Sequence, residues 1–160
     1  MGAAHLNTLL QEALNPSEVC LRRSGYSFRV NDKVMQIRNN YDKEVFNGDI
    51  GTVSSLDLEE RKLTVRFDDR EVEYDVTELD ELVQAYAITI HKSQGSEYPI
   101  VVMPVLMTHF VMLQRNLIYT GITRAKKLLV LVGTKKAIGY AVRNVTVINR
   151  NTRLKERLQA

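Results

Sequence analysis

Ala85-Tyr86-Ala87-Ile88-Thr89-Ile90-His91-Lys92-Ser93-Gln94-Gly95-Ser96-Glu97-Tyr98-Pro99 is the first of two runs around which the chain is organised. The second is Asn116-Leu117-Ile118-Tyr119-Thr120-Gly121-Ile122-Thr123-Arg124-Ala125-Lys126-Lys127. Each reads as an apolar element ending in a packed set of hydroxyl, amide and cationic groups. Open α/β sheets carry ligand chemistry on polar tips of this kind. Hydroxyls, a lysine and backbone N–H groups at the end of a strand suit phosphate oxygens. Gln94 and Glu97 lie three apart and share a face if the segment is helical. Gly95 lets a ligand approach the backbone. An arginine at the end of an apolar helix, as Arg124 is, can stabilise charge on a transferring phosphoryl group. Taken singly, each cluster is better read as a capped, solvated helix end. Their combination gives the functional reading its weight.

Around these runs the pattern is strand–helix–strand–helix. A short strand is expected over 87–90, and a polar helical segment over 91–98. Buried strands follow over 100–105 and 128–132, with helical spacing at Phe110, Leu113, Leu117 and Ile118 and a short helix over 137–142. Apolar strands alternating with helices imply a parallel sheet covered by helices.

Upstream the period changes. Leu6, Leu9, Leu10, Ala13 and Leu14 fall on one apolar helix face, ended by Asn15-Pro16. A strand over 33–38 follows an Asn31-Asp32 turn, and Asn47-Gly48-Asp49-Ile50-Gly51 marks a tight turn into another. Leu63, Val65 and Phe67 alternate with Lys62, Thr64 and Arg66, and Val72, Tyr74 and Val76 alternate with Glu71, Glu73 and Asp75. Asp68-Asp69-Arg70 forms the hairpin between them, and residues 57–61 turn the preceding pair. Short, closely spaced strands with one apolar side suit a small antiparallel barrel, placed at 46–82.

With 160 residues and 44% hydrophobic content, the chain is one domain, or one domain with a small insertion. No apolar run approaches the ~20 residues of a membrane span. The N-terminus lacks the build of a secretory signal. One cysteine, Cys20, excludes an internal disulfide and fits a cytoplasmic location. The net charge of +3 is uninformative by itself. Acidic residues concentrate over 57–81, and the chain from Lys126 onward is basic, including a tail over 146–160. No His/Cys metal spacing, no Gly-x-Ser-x-Gly and no Gly-x-x-x-x-Gly-Lys-Ser/Thr phosphate loop is present.

The two runs, in this order, resemble the fifth and sixth motifs of superfamily 1 DNA helicases, and the RecD/TraA-like subfamily in particular. Leu6-Asn7-Thr8-Leu9-Leu10-Gln11 with Asn15-Pro16 is similar to the start of that subfamily's second motor domain. Asp32-Lys33-Val34-Met35-Gln36-Ile37-Arg38-Asn39-Asn40 and the Asn47-Gly48 turn are similar to the segment leading to its insertion. The resemblance implies an α/β fold: a partial RecA-like parallel-sheet motor domain over 1–45 and 83–145, with an inserted small antiparallel β-barrel of Src-homology-3-like type over 46–82.

It also implies roles. Arg124 would contact the ATP γ-phosphate as an arginine finger. Gln94, Gly95 and Glu97 would lie at the nucleotide, with Glu97 a ribose contact. Thr89, His91, Lys92 and Ser93 would grip single-stranded DNA by its backbone. Tyr119 and Thr120 would brace Arg124. The phosphate loop and the carboxylates that hold Mg²⁺ belong to the family's first motor domain, so the chain reads as a C-terminal portion without ATPase activity of its own. The first motor domain of the same chain, single-stranded DNA and a protein docked on the barrel are the implied partners, and 5′ to 3′ is the implied polarity. A binding module without catalysis and an unrelated nucleotide-dependent α/β enzyme are the competing readings.

Overall fold

The structure is a computed structural model that describes residues 2–145. The basic tail expected over 146–160 lies outside the described residues. The chain divides into two compact units, 1–92 and 93–160. This division falls elsewhere than the expected bounds at 45/46 and 82/83.

The first unit opens with helix α1 (Ala3–Leu14) and the hairpin β1 (Leu21–Arg23) to β2 (Tyr26–Phe28). Five antiparallel strands follow: β3 (Lys33–Gln36), β4 (Ile50–Asp57), β5 (Lys62–Phe67), β6 (Arg70–Asp75) and β7 (Leu82–Gln84). Their order across the sheet is β6-β5-β4-β3-β7. The expected hairpins are present, with Phe67 opposite Arg70 and Asp57 opposite Lys62. Asp68 (φ +47°) and Arg61 (φ +57°) take the left-handed conformations that such tight returns require.

The sheet is wider than the module expected over 46–82. Strands β3 and β7 pair at its edge, and Phe28, Val34 and Leu82 share one core with Val53, Leu63, Val65 and Tyr74. The alternating pattern of β5 and β6 puts Leu63, Val65, Phe67, Val72 and Tyr74 inside. Each fully buried side chain of this size contributes roughly 1.5–3 kcal/mol relative to exposure. Gly51 sits where a Cβ would lie 2.5 Å from Val65 Cγ1 and 2.8 Å from the Arg66 carbonyl oxygen, so β4 and β5 approach closely there.

Tyr74 is fully buried, yet its hydroxyl donates to Gln36 Oε1 at 3.0 Å. Lys43 Nζ stands 4.6 Å above its ring and donates to Glu78 Oε2 at 2.6 Å. Burial, with the nearby Glu81, Glu78 and Asp49 carboxylates, pushes the Tyr74 phenol above its ordinary range. Asp75 caps the 3₁₀ segment Val76–Glu81 in a reciprocal box with Glu78.

Helix α1 departs from expectation. Its buried residues are Asn7 and Gln11, whereas Leu9 is 43% and Leu14 67% exposed. Leu6 and Leu10 are half-buried, and no leucine of the helix is fully buried. The side carrying Asn7 and Gln11 is what packs most closely.

The second unit holds β8 (Tyr98–Val105), a 3₁₀ segment Met107–Met112, α2 (Arg115–Ile122), β9 (Ala125–Gly133) and α3 (Lys135–Arg143). Strands β8 and β9 are parallel, with Val102 opposite Val130. The expected parallel sheet with helices is therefore present. Met103, Val105, Ile118, Ala137 and Ala141 are buried. The expectation of fully buried strands fails on one face, where Ile100, Val102, Leu128, Val130 and Val132 are exposed. Phe110 is also exposed and precedes α2 rather than lying in it. Among the described residues no helix is long and apolar enough to cross a membrane.

Candidate functional site

The two motif runs form their polar ends differently from the simple strand-then-helix expectation. Residues 87–90 are not a strand. Beyond β7 the chain is irregular until a single 3₁₀ turn, Ile90–Ser93, and β8 begins at Tyr98. The backbone of Ala87 is satisfied by a side chain: its N–H donates to Asn7 Oδ1 and its carbonyl accepts from Asn7 Nδ2, both at 2.8 Å. A side-chain amide thus takes the place of a neighbouring strand, which is why strand propensity in Ala87-Ile88-Thr89 does not yield a strand.

Thr89, His91 and Lys92 belong to the first unit, and all three are exposed. The Lys92 N–H lies 3.4 Å from Thr89 Oγ1, so the threonine begins the 3₁₀ turn as its cap. Thr89 and Lys92 also border a cleft of about 160 Å³ lined by Asn7, Tyr26, Met35 and Val83.

Ser93, Gln94, Gly95, Glu97, Tyr119, Thr120 and Arg124 belong to the second unit. Ser93 is buried, while Gln94, Gly95 and Glu97 are exposed. Gly95 has φ +84°, the left-handed region that penalises a side chain, with open space around its Cα. Glu97 is paired with Lys126, Oε2 to Nζ 3.2 Å, both half-exposed. Such a pair is weak enough for a polar ligand to displace.

Arg124 is the best-held of these groups. Its Nη1 donates to the Ser96 carbonyl at 3.0 Å, its Nε to the Thr120 carbonyl at 3.2 Å and its Nη2 to Thr123 Oγ1 at 3.1 Å. Thr123 Oγ1 donates in turn to the Thr120 carbonyl at 3.0 Å, and Thr120 Oγ1 to the Asn116 carbonyl at 2.9 Å. The α2 C-terminus therefore grips the guanidinium, and the Ser96 carbonyl joins the two motifs. A guanidinium has five N–H groups. Three are donated here, which leaves two for an incoming anion. Tyr119 is 67% exposed, so its ring is not part of the packed support.

Sequence reasoning missed a second polar constellation. Asp32, fully buried, accepts from Gln11 Nε2 (2.5 Å), Asn15 Nδ2 (2.7 Å), the Arg29 backbone N–H (2.8 Å) and the Tyr86 hydroxyl (2.8 Å). Burial, followed by the Asp32 hydrogen bond, pushes the Tyr86 phenol up to about 12. The available signal was the spacing of Asn7, Gln11 and Asn15, each four apart and therefore on one helix face. A polar stripe of that spacing reads by default as a solvated face. Among the described residues no group of three or more His, Cys, Asp or Glu is placed to hold a metal.

Residues 6–67 match the model of the ATP-dependent RecD-like DNA helicase SH3 domain, and 84–132 that of the UvrD-like helicase C-terminal domain. The ATP-dependent RecD2 DNA helicase of Deinococcus radiodurans is 40% identical over 160 residues, which is 100% of this chain and 22% of that protein. The RecBCD enzyme subunit RecD of Haemophilus influenzae is 34% identical over 143 residues, 89% of this chain and 21% of that subunit. Among solved structures, a Pif1 helicase from Bacteroides in complex with ADP-AlF3 and single-stranded DNA superposes with a TM-score of 0.63 at 19% identity, covering 99% of this chain and 43% of that one. The chain spans about a fifth of the length of these curated relatives. An SH3-like sheet followed by a parallel-sheet motor fragment, together with these matches, places the chain in the RecD-like DNA helicase family, as a C-terminal portion.

Proposed function

We propose that this chain is the part of an ATP-dependent DNA helicase that supplies the arginine finger and a share of the single-stranded DNA track. In this reading the second motor domain supplies residues on both sides of the barrel, and the barrel, which takes in β3 and β7 as well as residues 46–82, is its insertion. The observation that carries the reading is the support of Arg124. A guanidinium held on three N–H groups with two in reserve is preorganised for a phosphoryl group, because little rotamer freedom is left to lose on contact. Gln94 and Gly95 are exposed for nucleotide contact, and Glu97 can exchange Lys126 for a ribose hydroxyl. Thr89, His91 and Lys92, all exposed, serve the DNA backbone, for which a hydroxyl and a cation suffice without reading bases, whereas the same role for Ser93 requires its buried side chain to become exposed. ATP, when bound, supplies the free energy of translocation, and Mg²⁺ is held by residues outside this chain. Translocation runs 5′ to 3′ in the cytoplasm.

The test is Arg124→Ala in the complete protein. ATP turnover falls by roughly 10³-fold or more, the scale of losing an arginine finger, while single-stranded DNA binding persists and reports an intact fold. Unchanged turnover overturns the reading. A binding module without catalysis is the alternative, and the observation favouring it is β6. This strand lies at the edge of the sheet with Glu71 and Glu73 exposed, open to pairing with a partner strand. Such a module is indifferent to Arg124.

A further inference from the structure

Three features of the first unit fall outside the roles assigned above: the exposed Tyr41–Phe46 ring pair, the cleft beside α1 and the buried network around Asp32. The network is the one that ends on the motif itself. Asp32 carries a carboxylate with no solvent exposure, and its four donors come from α1, the β2–β3 turn and the segment after β7. Gln11 donates again to the Ser27 carbonyl at 2.8 Å, where Gln84 Nε2 also arrives at 3.0 Å. Asn15 donates again to the Val30 carbonyl at 2.9 Å. Asn7 spends its amide on both polar groups of Ala87 and on the Ala3 carbonyl.

A network built around a buried carboxylate has few low-energy arrangements, because moving a member breaks a hydrogen bond to Asp32. Apolar packing would tolerate a slide of the segment. This network does not. It pins residues 84, 86 and 87 by named atoms, and Thr89, His91 and Lys92 follow directly, with no regular strand of their own to hold them. We propose that Asp32 and Asn7 are positioning residues that fix the register of residues 84–87, so that Thr89, His91 and Lys92 meet the DNA backbone in one geometry. The proposal rests on the reading of those three residues as DNA contacts.

The experiment measures binding of a fluorescein-labelled oligothymidylate to the complete protein as a function of salt, with hydrogen exchange followed at amides 87–92. Tyr86→Phe removes one hydroxyl from the network and leaves the ring. It weakens binding roughly threefold, within the range of one lost hydrogen bond, speeds exchange at 87–92 and leaves the salt slope unchanged, because no phosphate contact is deleted. Asp32→Asn acts in the same direction and more strongly. Lys92→Ala is the control for the underlying reading: it weakens binding and lowers the salt slope by about one. If Lys92→Ala changes neither, the DNA reading of this segment fails. If Lys92→Ala behaves as stated while Tyr86→Phe lowers only the melting temperature, with affinity and exchange at 87–92 unmoved, the network is merely structural and the positioning proposal is overturned. Should Asp32→Asn fail to fold, Tyr86→Phe alone decides.

Discussion

Tyr86 shows how much a single hydroxyl can be asked to do. Its folded pKa of about 12 stands above the ordinary 10.0, first through burial and then through Asp32. The raised value means that the folded state holds the phenolic proton more tightly than the unfolded state. This stabilisation is complete below pH 10 and is lost as pH rises through about 12. The stability advantage of the native chain over Tyr86→Phe therefore shrinks across that window in alkaline denaturation. A difference that stays constant from pH 10 to 12 would contradict the assignment. On the acid side Glu78 moves the other way. Burial raises its pKa, but the Lys43 ammonium and the Asp75 backbone N–H outweigh burial and hold it below the ordinary range. Its contribution is present above the ordinary carboxylate pKa and fades as pH falls through the depressed value. Arg124 belongs at this scale too, since its guanidinium is held by three specific acceptors.

Helix α1 is an element whose two faces invite opposite substitutions. Asn7→Ala strips Ala87 of both its backbone partners, and the loss of two part-buried hydrogen bonds costs about 1–3 kcal/mol. Leu9→Lys, on the exposed side, changes stability by no more than about 0.5 kcal/mol. Urea denaturation of the two variants distinguishes this arrangement from an ordinary amphipathic helix, for which the ranking is reversed. The same logic applies to the hairpin of β5 and β6, where alternation and core agree and the register leaves no competing choice.

On the scale of the whole molecule, the uncovered face of β8 and β9 is the informative feature. Parallel strands are normally covered on both sides. Here Ile100, Val102, Leu128, Val130 and Val132 present a continuous apolar surface. The proposed function implies that other parts of the parent polypeptide cover it. Val130→Asp then leaves the melting of the isolated chain nearly unchanged but lowers that of the complete protein by several degrees, the effect of burying an unpaired carboxylate. Equal shifts in both contexts would argue against coverage by the parent chain.

The residues themselves determined the period-two strands and hairpins of the barrel, the parallel α/β pattern and the two motif runs that carry the family. Those signals are local: side-chain alternation, turn chemistry and short spacings are complete within a few residues. Tertiary structure alone decided which face of α1 is buried, the pairing of β3 and β7 with the barrel, and the capture of Asp32 by Gln11, Asn15 and Tyr86. It also decided that Ala87 pairs with Asn7 rather than with a strand. Leu9 has the stronger local claim to the interior and Asn7 the weaker, yet Asn7 is the buried one. A buried carboxylate that needs four donors settles the choice, and those donors are brought together only when segments distant in the chain meet.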